Sequence, residues 1–365
     1  MRFLLLSSLL GFFTVFVGVP AAKKYLMSSG IYGIDQQKNN RPKIPTSGGL
    51  VVLFGFIVAV TSFIGLNQLF GSRSINLALV LAALNSVTII ALIGLIDDIH
   101  IDLQKLITEH VEEEVEIELE TEKTHFIERF ILRFSNDKDD SMIHRTGLSQ
   151  IPKMLFVLPA ALPLIAVGAG SWEMSLPLIG VVNWGLLYPL VLLPLGLLFV
   201  SNVVNMLAGM NGLSAAMSLV ASLGLGVFAL SNGRMEAALI ALSASSCLLA
   251  FLWYNFYPAS ILPGDSLTYL AGAVLFASMV VGNIEKFGAF IFAPWYAEFL
   301  LSARSGFNSH SWGTLKENGK LEPQHPKNYS LTIPLMKRGF TEKQITLILT
   351  SVEVVVIIIG FVLFL

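Results

Sequence analysis

Residues 191–220 read "VLLPLGLLFVSNVVNMLAGMNGLSAAMSLV". They lie inside a 60-residue run, from Met174 to Gly233, that contains no Asp, Glu, Lys or Arg. A membrane span needs about 20 mostly apolar residues in a helix, because lipid offers an open backbone no hydrogen bonds. Two such stretches flank the quoted segment's centre, and Asn202, Asn205, Asn211, Gly209 and Gly212 crowd between them. The flanks decide the fold, whereas the polar centre needs a functional explanation.

The same pattern fills the chain. Hydrophobic residues make up 54% and charged residues 13%, and mean hydropathy is +0.72; soluble domains carry about 25% charged residues. The expected fold is therefore all-α and polytopic, with about ten spans near 3–22, 50–68, 75–96, 154–170, 185–203, 213–230, 237–256, 266–283, 287–303 and 345–365. Arg2 precedes an apolar run, as in a cleavable leader, but that run is span-length and is followed by Lys23 and Lys24 rather than by small residues. It reads as the first span. Cys247 is the only cysteine, so no disulfide forms within the chain.

Lysines and arginines orient the helices. With the N-terminus outside, 19 of the 23 fall in the first, third and ninth loops, and the other four, Arg2, Arg73, Arg234 and Lys286, fall outside. Positive charge is retained in the cytoplasm, so both termini face out and the Asn-Gly cluster lies in a cytoplasmic loop. The other loops on that side are "GIDQQKNNRPKIPTSGG" (33–49), "GLIDDI" (94–99) and "NFYPASILPGDSLTYLAG" (255–272). Acidic and amide oxygens suit Mg²⁺, which is normally held by one or two carboxylates plus substrate phosphates. Glycines admit a phosphate or base close to the backbone, and an Asn offers a donor and an acceptor together.

Each feature alone has an architectural reading. An Asn caps or bridges helices, Gly264-Asp265 makes a turn with Asp265 as N-cap, and Asp97-Asp98 ends a span. Their coincidence on one membrane face favours a site.

Taken with "NVVNMLAGMNGLSA" (202–215) and "GKLEP" (319–323), these motifs resemble the polyprenyl-phosphate N-acetylhexosamine-1-phosphate transferases, most closely the eukaryotic-type dolichyl-phosphate branch. Ala208 stands where the bacterial branches usually have Asp. The resemblance implies transfer of GlcNAc-1-phosphate from UDP-GlcNAc to a polyprenyl or dolichyl phosphate, with Mg²⁺ as cofactor and Mn²⁺ able to substitute. Asn205 and Asp265 would hold the metal. Gly209 and Asn211 would meet the uridine, with Lys38, Arg41, Ser47, Asn202 and Leu262 completing the substrate-binding set. Leu262 replaces a uracil-stacking aromatic. Lys153 would touch the phosphates, Asp97 and Asp98 would orient that lysine or the acceptor, and Asp98 is also a candidate base. In place of the family's Arg-His-Arg or triple-His motif, "SARSGFNSHSWG" (302–313) offers Arg304 and His310.

The whole chain, 1–365, reads as one integral membrane domain, set in a cell membrane or, in a eukaryote, in the endoplasmic reticulum membrane. Within it, 99–150 is an acidic cytoplasmic insertion, in which Glu109 to Glu122 holds eight glutamates. The partners are the two substrates and the bilayer, without nucleic acid, and a homodimer is left open. Two alternatives stand beside this reading: another UDP-N-acetylhexosamine, and a polytopic transporter. A transporter would show paired repeats with helices broken at mid-membrane, and no convincing repeat is present. Glu298 and Glu353 fall within spans and read as structural.

Overall fold

The computed structural model describes residues 1–71, 74–99, 157–176 and 180–365. The fold is mostly helical. Eight helical stretches among the described residues are long and apolar enough to cross a membrane: α1 (Arg2–Ser28), α2 (Gly49–Phe70), α3 (Leu77–Asp98), Tyr188–Met206, α6 (Leu213–Ser231), α7 (Met235–Asn255), α8 (Gly264–Gly282) and α12 (Glu342–Phe364). Each matches an apolar stretch read from the sequence, and the chain is an integral membrane protein.

Two expected spans have another form. In 154–170 the described part is a tight turn, Leu158–Ala161, running into the short α4 (Leu162–Ala166); Pro159 and Pro163 withhold backbone donors there. The stretch 287–303 is divided at Phe292 into α9 (Glu285–Ile291) and α10 (Ala293–Ala303), and Pro294 opens the second piece. The segment 188–206 starts as a wide turn over Tyr188–Leu192 before continuing as α5 (Leu193–Met206). A short α11 (Thr332–Lys337) precedes α12.

Among the described residues, three two-stranded antiparallel hairpins depart from an all-α chain. β1 (Tyr32–Ile34) pairs with β2 (Lys43–Pro45), β3 (Glu173–Leu176) with β4 (Gly180–Asn183), and β5 (Gly313–Leu315) with β6 (Leu321–Pro323). The first pairs Gly33 with Ile44 and folds the 33–49 loop back onto itself.

Lipid is as apolar as leucine, so packing in the bilayer depends on small residues that let backbones approach. At the α1–α2 crossing a Cβ on Gly11 would lie 2.8 Å from the Ala59 Cβ. At the centre runs α8, buried along nearly its whole length. A Cβ on Gly272 would lie 2.5 Å from the Ser201 Cα of α5, and one on Gly94 would lie 2.5 Å from the Asp265 carbonyl. These contacts fix the first turn of α8 against the last turn of α3. Gly49, opening α2, would likewise drive a Cβ into the Leu267 backbone.

Gly94→Val is expected to cost about 1–3 kcal/mol by overpacking, lowering Tm in detergent, and to abolish any turnover by shifting Asp265. Gly65→Val in α2, which has open space within 4 Å, serves as the control and leaves both unchanged.

Candidate active site

The helix ends and loops 33–37, 97–98, 205–211, 262–268 and 302–312 converge around a cavity of about 790 Å³. Local geometry makes that convergence possible. The Leu262 N–H donates to the Pro45 carbonyl at 2.8 Å, and the Gly48 and Gly49 N–H groups donate back to the Leu262 and Pro263 carbonyls at 3.1 and 3.2 Å. The "TSGG" and "LPGD" loops thus pair like short strands. Ser47, at φ +61 and fully buried, belongs to this seam and does not line the cavity, whereas Leu262 does.

At one wall Asp98 receives two hydrogen bonds from the start of α8. Its Oδ1 accepts the Asp265 N–H at 2.7 Å and its Oδ2 accepts the Ser266 N–H at 3.1 Å. The first N–H groups of a helix have no partner within it, and the positive end of the helix favours a carboxylate. Gly264, at φ +68, leaves the space: a Cβ there would collide with the Asp98 carboxylate. Asp98 thereby sets the position of Asp265. Asp97 and Asp265 line the cavity with it, and Asn205 joins them from the last turn of α5. The Asn205 side chain makes no hydrogen bond among the described residues.

The opposite wall is a buried polar latch. The Asn211 side-chain N–H donates to Asp35 Oδ2 at 3.0 Å, its backbone N–H to Glu342 Oε1 at 2.7 Å, and its carbonyl accepts the Thr346 hydroxyl at 3.2 Å. Lys38 lies between Asp35 (3.3 Å) and Glu342 (2.5 Å), 4.4 Å from the centre of the Tyr257 ring. A buried charge demands such pairing. Gln37 donates to the Gly209 carbonyl at 2.7 Å and accepts the Gly313 N–H at 3.3 Å. Gly209 packs so closely on Ser311 that a Cβ would strike its hydroxyl; its bareness serves this loop contact.

Asn202 sits outside the cavity. Its amide donates to the Leu198 carbonyl at 2.8 Å and its oxygen accepts the Tyr269 hydroxyl at 3.3 Å, within the α5–α8 interface. Lys38, Arg41 and Arg304 do not line the cavity either. Lys153 and the acidic insertion from residue 100 lie outside the described residues. His310 is at the rim, stacked on Trp312 with ring centroids 4.2 Å apart, and its backbone N–H donates to His325 Nε2 at 3.3 Å. Packing of the ring, and His325 beside it, push the His310 pKa down.

Among the described lining residues are five carboxylates, Asp35, Asp97, Asp98, Asp265 and Glu298, and no Lys or Arg. The described residues contain no group of three or more His, Cys, Asp or Glu able to hold a metal by themselves. The lining instead offers carboxylate and amide oxygens, the donor type from which Mg²⁺ takes one or two ligands while substrate phosphates supply others. Asp35, Gln37, Glu298, Glu342 and Thr346 were not singled out as site residues from the sequence.

The profile described as Glycosyl transferase family 4 matches residues 129–283. A protein of Saccharolobus solfataricus, provisionally named a UDP-N-acetylglucosamine–dolichyl-phosphate N-acetylglucosaminephosphotransferase, is 30% identical over 363 residues, which is 99% of this chain and 96% of that protein. Its namesake in Sulfolobus acidocaldarius is 28% identical over 98% of this chain and 95% of its own length. The phospho-N-acetylmuramoyl-pentapeptide-transferase of Moorella thermoacetica is 33% identical over 33% of this chain and 38% of its own. Membrane helices with a polar cavity at their ends, together with these full-length relatives, place the chain in the class of membrane-embedded transferases. The chain belongs to glycosyl transferase family 4.

Asn211→Ala removes the amide donor to Asp35 Oδ2 and is expected to cost about 1–3 kcal/mol. Both Tm and UMP affinity should fall, because the latch forms one cavity wall. Asn205→Ala should leave Tm in place and raise only the Mg²⁺ requirement; thermal unfolding and calorimetric titration of UMP and Mg²⁺ check both.

Proposed function

We propose that this chain transfers N-acetylglucosamine-1-phosphate from UDP-GlcNAc to a polyprenyl phosphate of the dolichyl type. The products are polyprenyl-diphosphate-GlcNAc and UMP, and the reaction is the first step of lipid-linked oligosaccharide assembly. One observation carries the reading: Asp97-Asp98, Asn205, Gly209–Asn211 and Gly264-Asp265, separated along the chain, line a single cavity at the helix ends. The full-length likeness to the two archaeal proteins supports the choice of substrates.

In this reaction an oxygen of the acceptor phosphate attacks the β-phosphorus of UDP-GlcNAc. A P–O bond forms, the bond from the β-phosphorus to the bridging oxygen breaks, and its electron pair leaves with UMP. The acceptor is already ionised, so the step depends on positioning and charge neutralisation more than on a base. Asn205 and Asp265 would hold Mg²⁺, or Mn²⁺ in its place, which when bound neutralises the diphosphate charge. Asp98, with both oxygens hydrogen-bonded to backbone N–H groups, orients Asp265 rather than taking a proton. His310 and the 307–312 loop close the diphosphate end, and the Asp35–Asn211 latch shapes the nucleoside end.

The basic residues of the loops around the cavity support a cytoplasmic site, with both termini on the external side and ten membrane passages counting the two interrupted segments.

Purified protein given radiolabelled UDP-GlcNAc, Mg²⁺ and polyprenyl phosphate is expected to release UMP and label the lipid. Asp265→Asn should remain folded and lose this turnover; Mg²⁺-dependent UMP release by a well-folded Asp265→Asn variant would contradict the assignment.

A further inference from the structure

Glu298 is 1% exposed and lines the floor of the cavity from α10. Its Oε2 accepts the Leu331 N–H at 2.7 Å and the Ser330 hydroxyl at 3.1 Å. Oε1 has no hydrogen-bond partner among the described residues. Ser302 follows four residues later on the same helix face and also lines the cavity, and its hydroxyl donates to the Tyr329 carbonyl at 3.4 Å. One face of α10 therefore holds the segment 329–331.

That segment holds the loop above it. The Thr332 hydroxyl donates to the Ser311 carbonyl at 2.6 Å, and the Thr332 N–H donates to Ser330 Oγ at 3.3 Å. Ser330 and Thr332 are as buried as Glu298. Ser311 packs on Gly209, and two residues on the Gly313 N–H reaches Gln37. His310 and Trp312, the stacked pair at the rim, flank Ser311 on either side. The loop 307–312 is thus clamped from below by α10 and from the side by the 205–211 wall. A carboxylate withdrawn from water is costly unless it is hydrogen-bonded, and ionised acceptors make the stronger bonds. Glu298 has the chemistry for holding a chain segment at a fixed place.

We propose that Glu298 is a positioning residue of the transfer site, acting through Ser330, Leu331 and Thr332 on the 307–312 loop and so on His310. This rests on reading the cavity as the UDP-GlcNAc site, with His310 at the diphosphate. The position of α10 then sets how closely the imidazole meets the substrate.

The test uses the full-length protein with Glu298→Leu, Glu298→Gln and Thr332→Val, each alone and combined with His310→Ala. Thr332→Val conserves shape and keeps the proposal testable where Glu298→Leu fails to fold. Each single loss of the relay is expected to lower kcat/KM about tenfold or more. UMP affinity, measured by calorimetry, should stay unchanged, since UMP lacks the β-phosphate and the N-acetylglucosamine. Glu298→Gln, which keeps an acceptor oxygen, should restore most of the loss. Because the relay acts through His310, neither Glu298→Leu nor Thr332→Val should lower kcat/KM further in the His310→Ala background. Equal losses in both backgrounds, or a Gln variant as damaged as Leu, would overturn the proposal. The rate of His310 modification by diethylpyrocarbonate, read by mass spectrometry, is independent of turnover. It should rise in Thr332→Val and Glu298→Leu, and an unchanged rate would overturn the positioning role. Absence of turnover in the unsubstituted protein would instead count against the proposed function.

Discussion

Two backbone N–H groups at the start of α8 donate to one carboxylate, Asp98, at the end of α3. Much of the site depends on this contact. It satisfies donors that a helix cannot satisfy itself. It requires bare backbone on both sides, which Gly94 and Gly264 provide. It also fixes Asp265, since the N–H that Asp98 accepts belongs to that residue. From there α8 runs through the bundle against α3 and α5, with Gly272 pressed on Ser201, so the placement of Asn205 follows from the same packing. The half of the site that holds Asp98, Asp265 and Asn205 is thus a consequence of how three helices meet.

The other half is held by charge. Asp35, Lys38, Glu342 and Asn211 join the first loop, the segment after α5 and the first turn of α12. Lys38 is consumed by this network and does not line the cavity. The polar side chains of the described lining include carboxylates, amides, hydroxyls and one imidazole. A nucleoside diphosphate entering such a lining meets like charge, and like charges close together in a partly desolvated site repel strongly. The proposed entry of the anion as a complex with a cation fits this described lining.

The helices were legible because lipid imposes a length and a composition that few other structures share. The apolar stretches at 50–68, 213–230 and 266–283 correspond to α2, α6 and α8. Breaks at Phe292 and around Pro159 were not legible, since a hydropathy pattern does not register where a helix loses a donor. The loops that form the cavity announced themselves through Gly-Asp, Asp-Asp and Asn-Gly pairs in an otherwise oily chain. Direction was the missing information: the residue types of Lys38, Asn202 and Ser47 do not say whether a side chain faces the cavity, an ion partner or a helix seam. The latch had no local signal, and Glu298, an acid within an apolar stretch, read as structural because its partners lie in a distant segment. Lys38 and Glu342 are 304 residues apart, Asn211 and Glu342 are 131 apart, and a single Glu opening a helix looks like any favourable terminal charge.

Calorimetric titration of UDP into the purified full-length protein, in Mg²⁺ and again in EDTA, tests most directly the claim that this cavity takes a nucleoside diphosphate only with a cation. Affinity should fall by about tenfold or more without the metal, the loss expected when phosphate charge faces the lining carboxylates uncompensated. Equal affinity in Mg²⁺ and EDTA would contradict the account.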